Sequence, residues 1–112
     1  MIQETIKIRL PTSRIKEAVA LLRPLVESTK TVPGCVDCEL HRDVLEDTVL
    51  VFQDRWNDEE GLQRHLRSEE YRDLLLVMEM AKEVPEVRFD VISHTSGLEA
   101  IERARTDVTD LS

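Results

Sequence analysis

Residues 48–56, TVLVFQDRW, place apolar side chains on both sides of one extended segment. Successive residues of a strand point to opposite faces. Leu50, Phe52 and Trp56 therefore point one way, and Val49 and Val51 the other. A strand that is apolar on both sides belongs to a sheet that is covered on both sides. One layer of helices from the same chain covers only one of them. The second cover is then expected to be another copy of the chain, and this narrows the possible folds more than composition does.

The segments around this strand fall into a simple order. Residues 2–10 alternate, with Ile2, Ile6, Ile8 and Leu10 on one face and Thr5, Lys7 and Arg9 on the other, which predicts a strand. Pro11-Thr12-Ser13 punctuates, with Thr12 or Ser13 as helix cap and Glu17 close behind. Ile15, Ala18, Val19, Leu22, Leu25 and Val26 then recur at helical spacing. Pro24 lies inside that stripe and is expected to kink or divide the helix, because it lacks an N–H. Val32-Pro33-Gly34 turns the chain into a second strand over 35–42, and Asp43–Asp47 link it to the third. Asn57 is the expected cap of the next helix, with Glu60 completing a capping box. Leu62, His65 and Leu66 share a face, Ser68 marks a break, and Tyr71, Leu74, Leu75, Met78 and Ala81 resume the stripe. After Val84-Pro85, residues 87–94 read as a fourth strand, with Val87, Phe89 and Val91 on one face.

The order β-α-β-β-α-β, with right-handed crossovers, predicts an α+β ferredoxin-like fold. Its four-stranded antiparallel sheet carries two helices on one face. Residues 1–95 form this domain. Residues 96–112 form a C-terminal helical extension, in which Leu98, Ile101 and Ala104 align. The stripe over 98–105 is expected to pack on a dimer partner or over the mouth of a pocket, and 106–112 to fray.

Charge and composition exclude several functions. Fifteen basic residues against 23 acidic ones give a net charge of −8, which opposes binding to nucleic acid or anionic membranes. No apolar run approaches the ~20 residues of a membrane-spanning helix. The N-terminus has no secretory pattern, so the cytosol is the expected location. Cys35 and Cys38 form a C-x-x-C pair inside an alternating run, where residues three apart point to opposite faces. Redox pairs sit at helix N-termini and zinc needs a second ligand pair, so these read as structural thiols. His41, His65 and His94 are scattered and give no metal-ligand pattern. Phosphate-loop, nucleophile-elbow and dinucleotide motifs are absent, so no cofactor is expected.

The candidate site centres on Trp56, the only tryptophan, and on His65 nine residues beyond it. A helix folded back over the sheet brings this imidazole towards the indole, around a hollow. His65 would serve as a general base or hydrogen-bond donor, or as a structural histidine bonded to a carbonyl. Trp56 would be an aromatic wall or part of the core, and Tyr71 would add a hydroxyl. Phe52, Leu62 and Leu66 line the apolar side of the expected substrate pocket. His41, the outlying candidate for substrate contact, lies on a polar face with Cys35, Asp37 and Glu39, as a solvated or interface histidine does.

The run V-P-G-C-x-x-C-E-L-H-R-D, then V-F-Q-D-R-W, then a histidine nine residues after the tryptophan, resembles the antibiotic biosynthesis monooxygenase family. The resemblance covers about Ile6–Ser93. It implies a dimeric α+β barrel in which two sheets pack face to face. Members of that family oxygenate aromatic polyketides or quinols without a cofactor; relatives degrade haem or isomerise small signals. The resemblance makes Trp56 a pocket wall, His65 a base or donor and Tyr71 a supporting hydroxyl. Phe52 and Leu62 stand where the polyketide oxygenases carry asparagine and tyrosine, which points away from an anthrone. Leu75 stands where the haem-degrading relatives carry their haem-ligating histidine. The implied function is a homodimeric, cofactor-independent monooxygenase acting on a small phenolic or quinol compound. An isomerase using proton transfer in the same pocket is one alternative. A non-catalytic small-molecule-binding or stress-related dimer is another, its mark being a pocket filled by Phe52, Leu62 and Leu66.

Overall fold

The alternating segments become four antiparallel strands: β1 (Ile2–Arg9), β2 (Cys35–Arg42), β3 (Val49–Trp56) and β4 (Glu86–Val91). In the computed structural model, which describes the backbone of residues 1–111 and the side chains of 1–106, they are ordered β2-β3-β1-β4. This is the ferredoxin-like order. The central pair β1–β3 sets Ile2 opposite Trp56, Ile6 opposite Phe52 and Ile8 opposite Leu50. Residues directly opposite share a face, so the even-numbered positions of both strands make one apolar surface. Ile6, Ile8, Leu50, Phe52 and Trp56 are all buried there.

Helices α1 (Ile15–Thr29), α2 (Glu59–Leu66) and α3 (Tyr71–Glu79) cover that surface. Ala18, Leu22 and Leu25 of α1 and Leu74 and Val77 of α3 join the strand residues in one core. Each of these leucines, isoleucines and valines, fully buried, contributes roughly 1.5–3 kcal/mol. The other sheet face carries Thr5, Lys7, Gln53 and Arg55 beside Val49 and Val51. Among the described residues no helix is long and apolar enough to cross a membrane.

Local signals resolve differently from the sequence reading at several points. Pro24 lies inside an unbroken α1. The carbonyl it cannot serve belongs to Ala20, which is exposed, so water can take the missing donor's place. A short 3-10 turn, Thr12–Arg14, leads into α1, and neither Thr12 nor Ser13 caps it. The cap of α2 is Asp58, whose Oδ1 accepts from the Gly61 N–H at 2.7 Å. Asn57 instead donates its N–H to the Gly34 carbonyl at 2.8 Å, and Glu60 pairs with Arg64 at 3.2 Å. The register of β2 against β3 shifts between Cys35 and Asp37. This bulge sets Cys35 opposite Trp56 and Cys38 opposite Asp54, so both thiols face the helix layer rather than opposite sides. Both are free. Burial, with Asp54 nearby, pushes Cys35 up to about 11 and Cys38 higher still, which keeps both unreactive.

Two glycines fix how α2 meets the sheet. Gly34 has φ +92°, a region that disfavours any side chain. A Cβ on Gly61 would stand 3.1 Å from Trp56 Cε3 and 3.2 Å from the Pro33 carbonyl oxygen. The first turn of α2 is therefore pressed onto both the Pro33-Gly34 turn and the indole.

The C-terminal third is less covered. Val87, Phe89 and Val91 of β4 pair with Ile6, Glu4 and Ile2 and so face the helix side, yet all three are exposed. Helix α4 (Leu98–Leu111) runs past the expected 98–105, and its Leu98 and Ile101 are exposed. The expected fraying of 106–112 falls mostly on residues whose side chains, from 107 onward, lie outside the described set.

The cap assignment is testable by urea denaturation. Asp58→Ala should cost ~1 kcal/mol, whereas Asn57→Ala should stay within about 0.5 kcal/mol. Equal losses would return the cap to Asn57.

Candidate active site

Two carboxylates interrupt the apolar surface. Glu4 stands between Ile2 and Ile6 on β1, and Asp54 stands between Phe52 and Trp56 on β3. They are direct cross-strand partners, and both are 0% exposed. Like charges directly opposite in a sheet repel, and burial strengthens that repulsion. The helices supply what compensates it. His65 of α2 sets its Nε2 2.9 Å from Asp54 Oδ2 and 3.3 Å from Glu4 Oε1. Tyr71, the first residue of α3, donates its hydroxyl to Glu4 Oε2 at 2.7 Å.

The break at Ser68 aims both side chains. Its hydroxyl donates to the His65 carbonyl at 2.7 Å, and the Tyr71 N–H donates back to it at 3.3 Å. One serine thus closes α2 and starts α3, with His65 and Tyr71 both turned towards the sheet. Three rings enclose the imidazole. Its ring centre lies 5.0 Å from those of Trp56 and Tyr71, and Phe52 stacks parallel to it at 6.4 Å.

Burial and charge set the protonation. Burial pushes Asp54 up, contacts with His65 pull it down, the charge of Glu4 raises it again, and it settles at about 6. Burial works against a charged His65, but Asp54 and Glu4 outweigh it and hold the ring up to about 9. Burial and then Glu4 push Tyr71 upward, so its phenol stays neutral. A value of about 9 makes the imidazole a cation rather than a base at neutral pH. Its partners are carboxylates rather than a backbone carbonyl. Glu4 Oε1, both oxygens of Asp54, Trp56 Nε1 and His65 Nε2 are buried without an aligned hydrogen bond.

The hollow expected between His65 and Trp56 is closed, because the two rings touch. Open space reaches His65 from another side. A cavity of about 390 Å³ is lined by Thr29, Pro33, Arg64, His65, Ser68 and Glu70. A larger cavity of about 820 Å³ lies between α1 and β2, bordered by Val26, Leu40 and His41 rather than by His65. Of the anticipated residues, Trp56, Phe52, His65 and Tyr71 come together. Leu62 is buried on α2, and Leu66 packs on the core edge. His41 is exposed and bonded to Glu39 at 2.7 Å, away from the cluster. Glu4 and Asp54 are the residues that sequence reading missed. Their signal was an acid at an inward position of an otherwise apolar face. Together with His65 they offer three ligand atoms within 4.8 Å of one another, a set that a search for spaced histidines does not find.

The fold and the cluster define a ferredoxin-like α+β protein with an imidazole-carboxylate-phenol site between its sheet and its helices. Residues 1–75 match the antibiotic biosynthesis monooxygenase family, and the chain belongs to it. The matched span includes every member of the cluster. Similar solved structures include a conserved protein from Methanosarcina mazei Go1, with TM-score 0.74 and 23% identity over 80% of this chain and 89% of that one. An antibiotic biosynthesis monooxygenase aligns with TM-score 0.76 and 23% identity over 84% of this chain and all (100%) of that one. Rv0793 from Mycobacterium tuberculosis aligns with TM-score 0.77 and 18% identity over 86% and 98%. At these identities the likeness is one of fold. No curated protein matches the chain.

The raised His65 predicts a pH signature. A group whose pKa is higher in the folded than in the unfolded state stabilises below its unfolded value, near 6.5, and loses that contribution as pH rises through about 9. Folding stability in a chelating buffer should therefore fall between pH 6.5 and 9, by up to ~1.4 kcal/mol per pH unit from this group. Asp54, raised to about 6, acts in the same direction between pH 4 and 6. His65→Gln should flatten the upper window in a pH series of urea melts. An unchanged slope would remove His65 as its source.

Proposed function

We propose that this chain is a monooxygenase acting on a small phenolic or quinol compound, bound in the cavity beside His65, and that it works as a homodimer. The observation that carries the reading is a buried His65, held up to about 9 by Asp54 and Glu4, lining a cavity of about 390 Å³ in a member of this family. A cation at the wall lowers the pKa of a bound phenol. The proton leaves to solvent through the open side, and the electron-rich anion reduces oxygen. For a quinol, one oxygen atom enters the ring, the other leaves as water, and the product is a hydroxyquinone. The substrate itself supplies the electrons. Asp54 and Glu4 hold the imidazole charged, Tyr71 holds Glu4, and Trp56 and Phe52 keep water from the ring. A phenol fits this volume with room to spare. The closed hollow between His65 and Trp56 is the mark of the non-catalytic alternative, and the enzyme reading rests instead on the open space on the other side of His65.

Proton transfer within the same cluster also suits an isomerase, and oxygen separates the two. Oxygen uptake with a panel of quinols should fall at least tenfold in His65→Gln and less in Trp56→Phe. Equal rates in wild type and both variants would remove these residues from any mechanism. Turnover that persists under anaerobic conditions would favour the isomerase.

The dimer rests on separate observations. Val51 sits half-buried on the face away from the helices, where Val49 is already buried within the chain, and Val87, Phe89 and Val91 of β4 and Leu98 and Ile101 of α4 are exposed. Sedimentation equilibrium should show dimers, and deletion of residues 97–112 should weaken association at least tenfold. An association constant that survives the deletion unchanged would take α4 out of the interface.

A further inference from the structure

The cluster beneath α2 has the geometry of ligands around a shared centre. His65 Nε2 lies 2.9 Å from Asp54 Oδ2 and 3.3 Å from Glu4 Oε1, yet neither contact is aligned as a hydrogen bond. Two donor atoms each ~2.0–2.1 Å from one ion, at about 90–110° to each other, stand roughly 2.8–3.4 Å apart. The observed separations lie at that spacing. All three residues are at least 98% buried, from exposures of 0, 0 and 2%, so these are not surface acids that water satisfies.

The remaining polar atoms are distributed as a coordinating set requires. Tyr71 occupies Glu4 Oε2 and leaves Oε1, the oxygen nearer His65, without a hydrogen bond. Outer partners of this kind orient metal-ligating carboxylates. Both oxygens of Asp54 are likewise without a hydrogen bond. The Trp56 indole N–H is also unpaired, buried against the same imidazole and outside the ligand trio. Charge points the same way. Two carboxylates and a neutral imidazole carry −2, which one divalent cation cancels. A cavity borders His65 on the side away from Trp56.

We propose that Glu4, Asp54 and His65 form a buried site for one divalent transition-metal ion. Two carboxylate oxygens and one imidazole nitrogen suit Mn²⁺, Fe²⁺ or Zn²⁺, whereas Mg²⁺ and Ca²⁺ prefer all-oxygen sets. The inference goes beyond the oxygenation reading. That reading needs positive charge at the cavity wall, which a protonated ring or a bound ion can each supply. The tests below read binding, so they succeed or fail independently of turnover.

Chelator-treated protein is titrated with Co²⁺ as a visible probe and, separately, with Zn²⁺ and Mn²⁺, each under calorimetry. The expected result is saturation at one ion per chain, a Co²⁺ absorption band, and a thermal midpoint raised by several degrees at saturating ion. Asp54→Asn and Glu4→Gln keep the shape of the site and remove a buried charge, so both should fold in the ion-free state and bind at least tenfold more weakly. Asp90→Asn removes an exposed carboxylate of β4 and should bind as wild type does. The net charge of −8 makes this control necessary, because loose surface binding would weaken all three alike. If no ion saturates the wild-type chain at one equivalent, or if Asp54→Asn and Asp90→Asn bind equally, the site is not a metal centre. Nitrogen-15 spectra of His65 with both ring nitrogens protonated in the presence of excess Zn²⁺ would overturn it directly.

Discussion

Two carboxylates face each other across the middle of the sheet, in the place where a sheet normally buries hydrocarbon. Taking an unpaired charge out of water costs several kcal/mol, and a second like charge beside it adds to that. Glu4 and Asp54 therefore require a cationic partner brought to them, and the helix layer is arranged to bring it. Ser68 divides what would otherwise be one long helix. Gly34 and Gly61 let the first turn of α2 sit against the indole. Tyr71 opens α3 at the point where its hydroxyl reaches the remaining oxygen of Glu4. Without the charged pair none of these local features has an evident purpose. With it, each sets the position of one ring.

Stability alone does not explain such a cluster. Apolar side chains of similar volume at all three positions would often leave a fold as stable or more so, whereas removing one partner strands the others. Perturbed titratable groups beside an open cavity are the arrangement that chemistry uses. The cost lies in the core and the cavity lies at its rim, with His65 reaching both. His65 thereby stands between the buried charge and the 390 Å³ of space beside it.

The fold could be read from the sequence because it depends on periodicity. Ile6, Ile8, Leu50 and Phe52 declare their faces two residues at a time, and the order of segments then leaves few topologies. The site was half legible. Trp56, His65 and Tyr71 are conspicuous by type and spacing. Glu4 and Asp54 are not, because within one strand an acid on an apolar face reads as an interruption. What gives them meaning is that they pair, and the pairing joins positions 50 residues apart in sequence through a register that no local window contains. The same limit accounts for Cys35, which changes face through a bulge, and for Asn57, which loses the cap to its neighbour by bonding to the Gly34 carbonyl. Pro24 does not divide α1, for another reason. The cost of a missing hydrogen bond depends on whether water can replace it, and that depends on burial rather than on residue type.

The region after residue 75 lies outside the family match but not outside the electrostatics of the site. Phe89 of β4 is the other cross-strand neighbour of Glu4, and it is 47% exposed. The carboxylate is thus sealed by helices above and by β3 on one flank, while its other flank is a ring that water still reaches. Desolvation raises the energy of a charge in proportion to how thoroughly the surroundings exclude water. A second chain seated over Val87, Phe89 and Val91 would deepen the burial of Glu4 without touching it, and would tighten the hold of the cluster on its proton or cation. Association and occupancy of the site would then be linked: whatever favours one must favour the other by the same free energy.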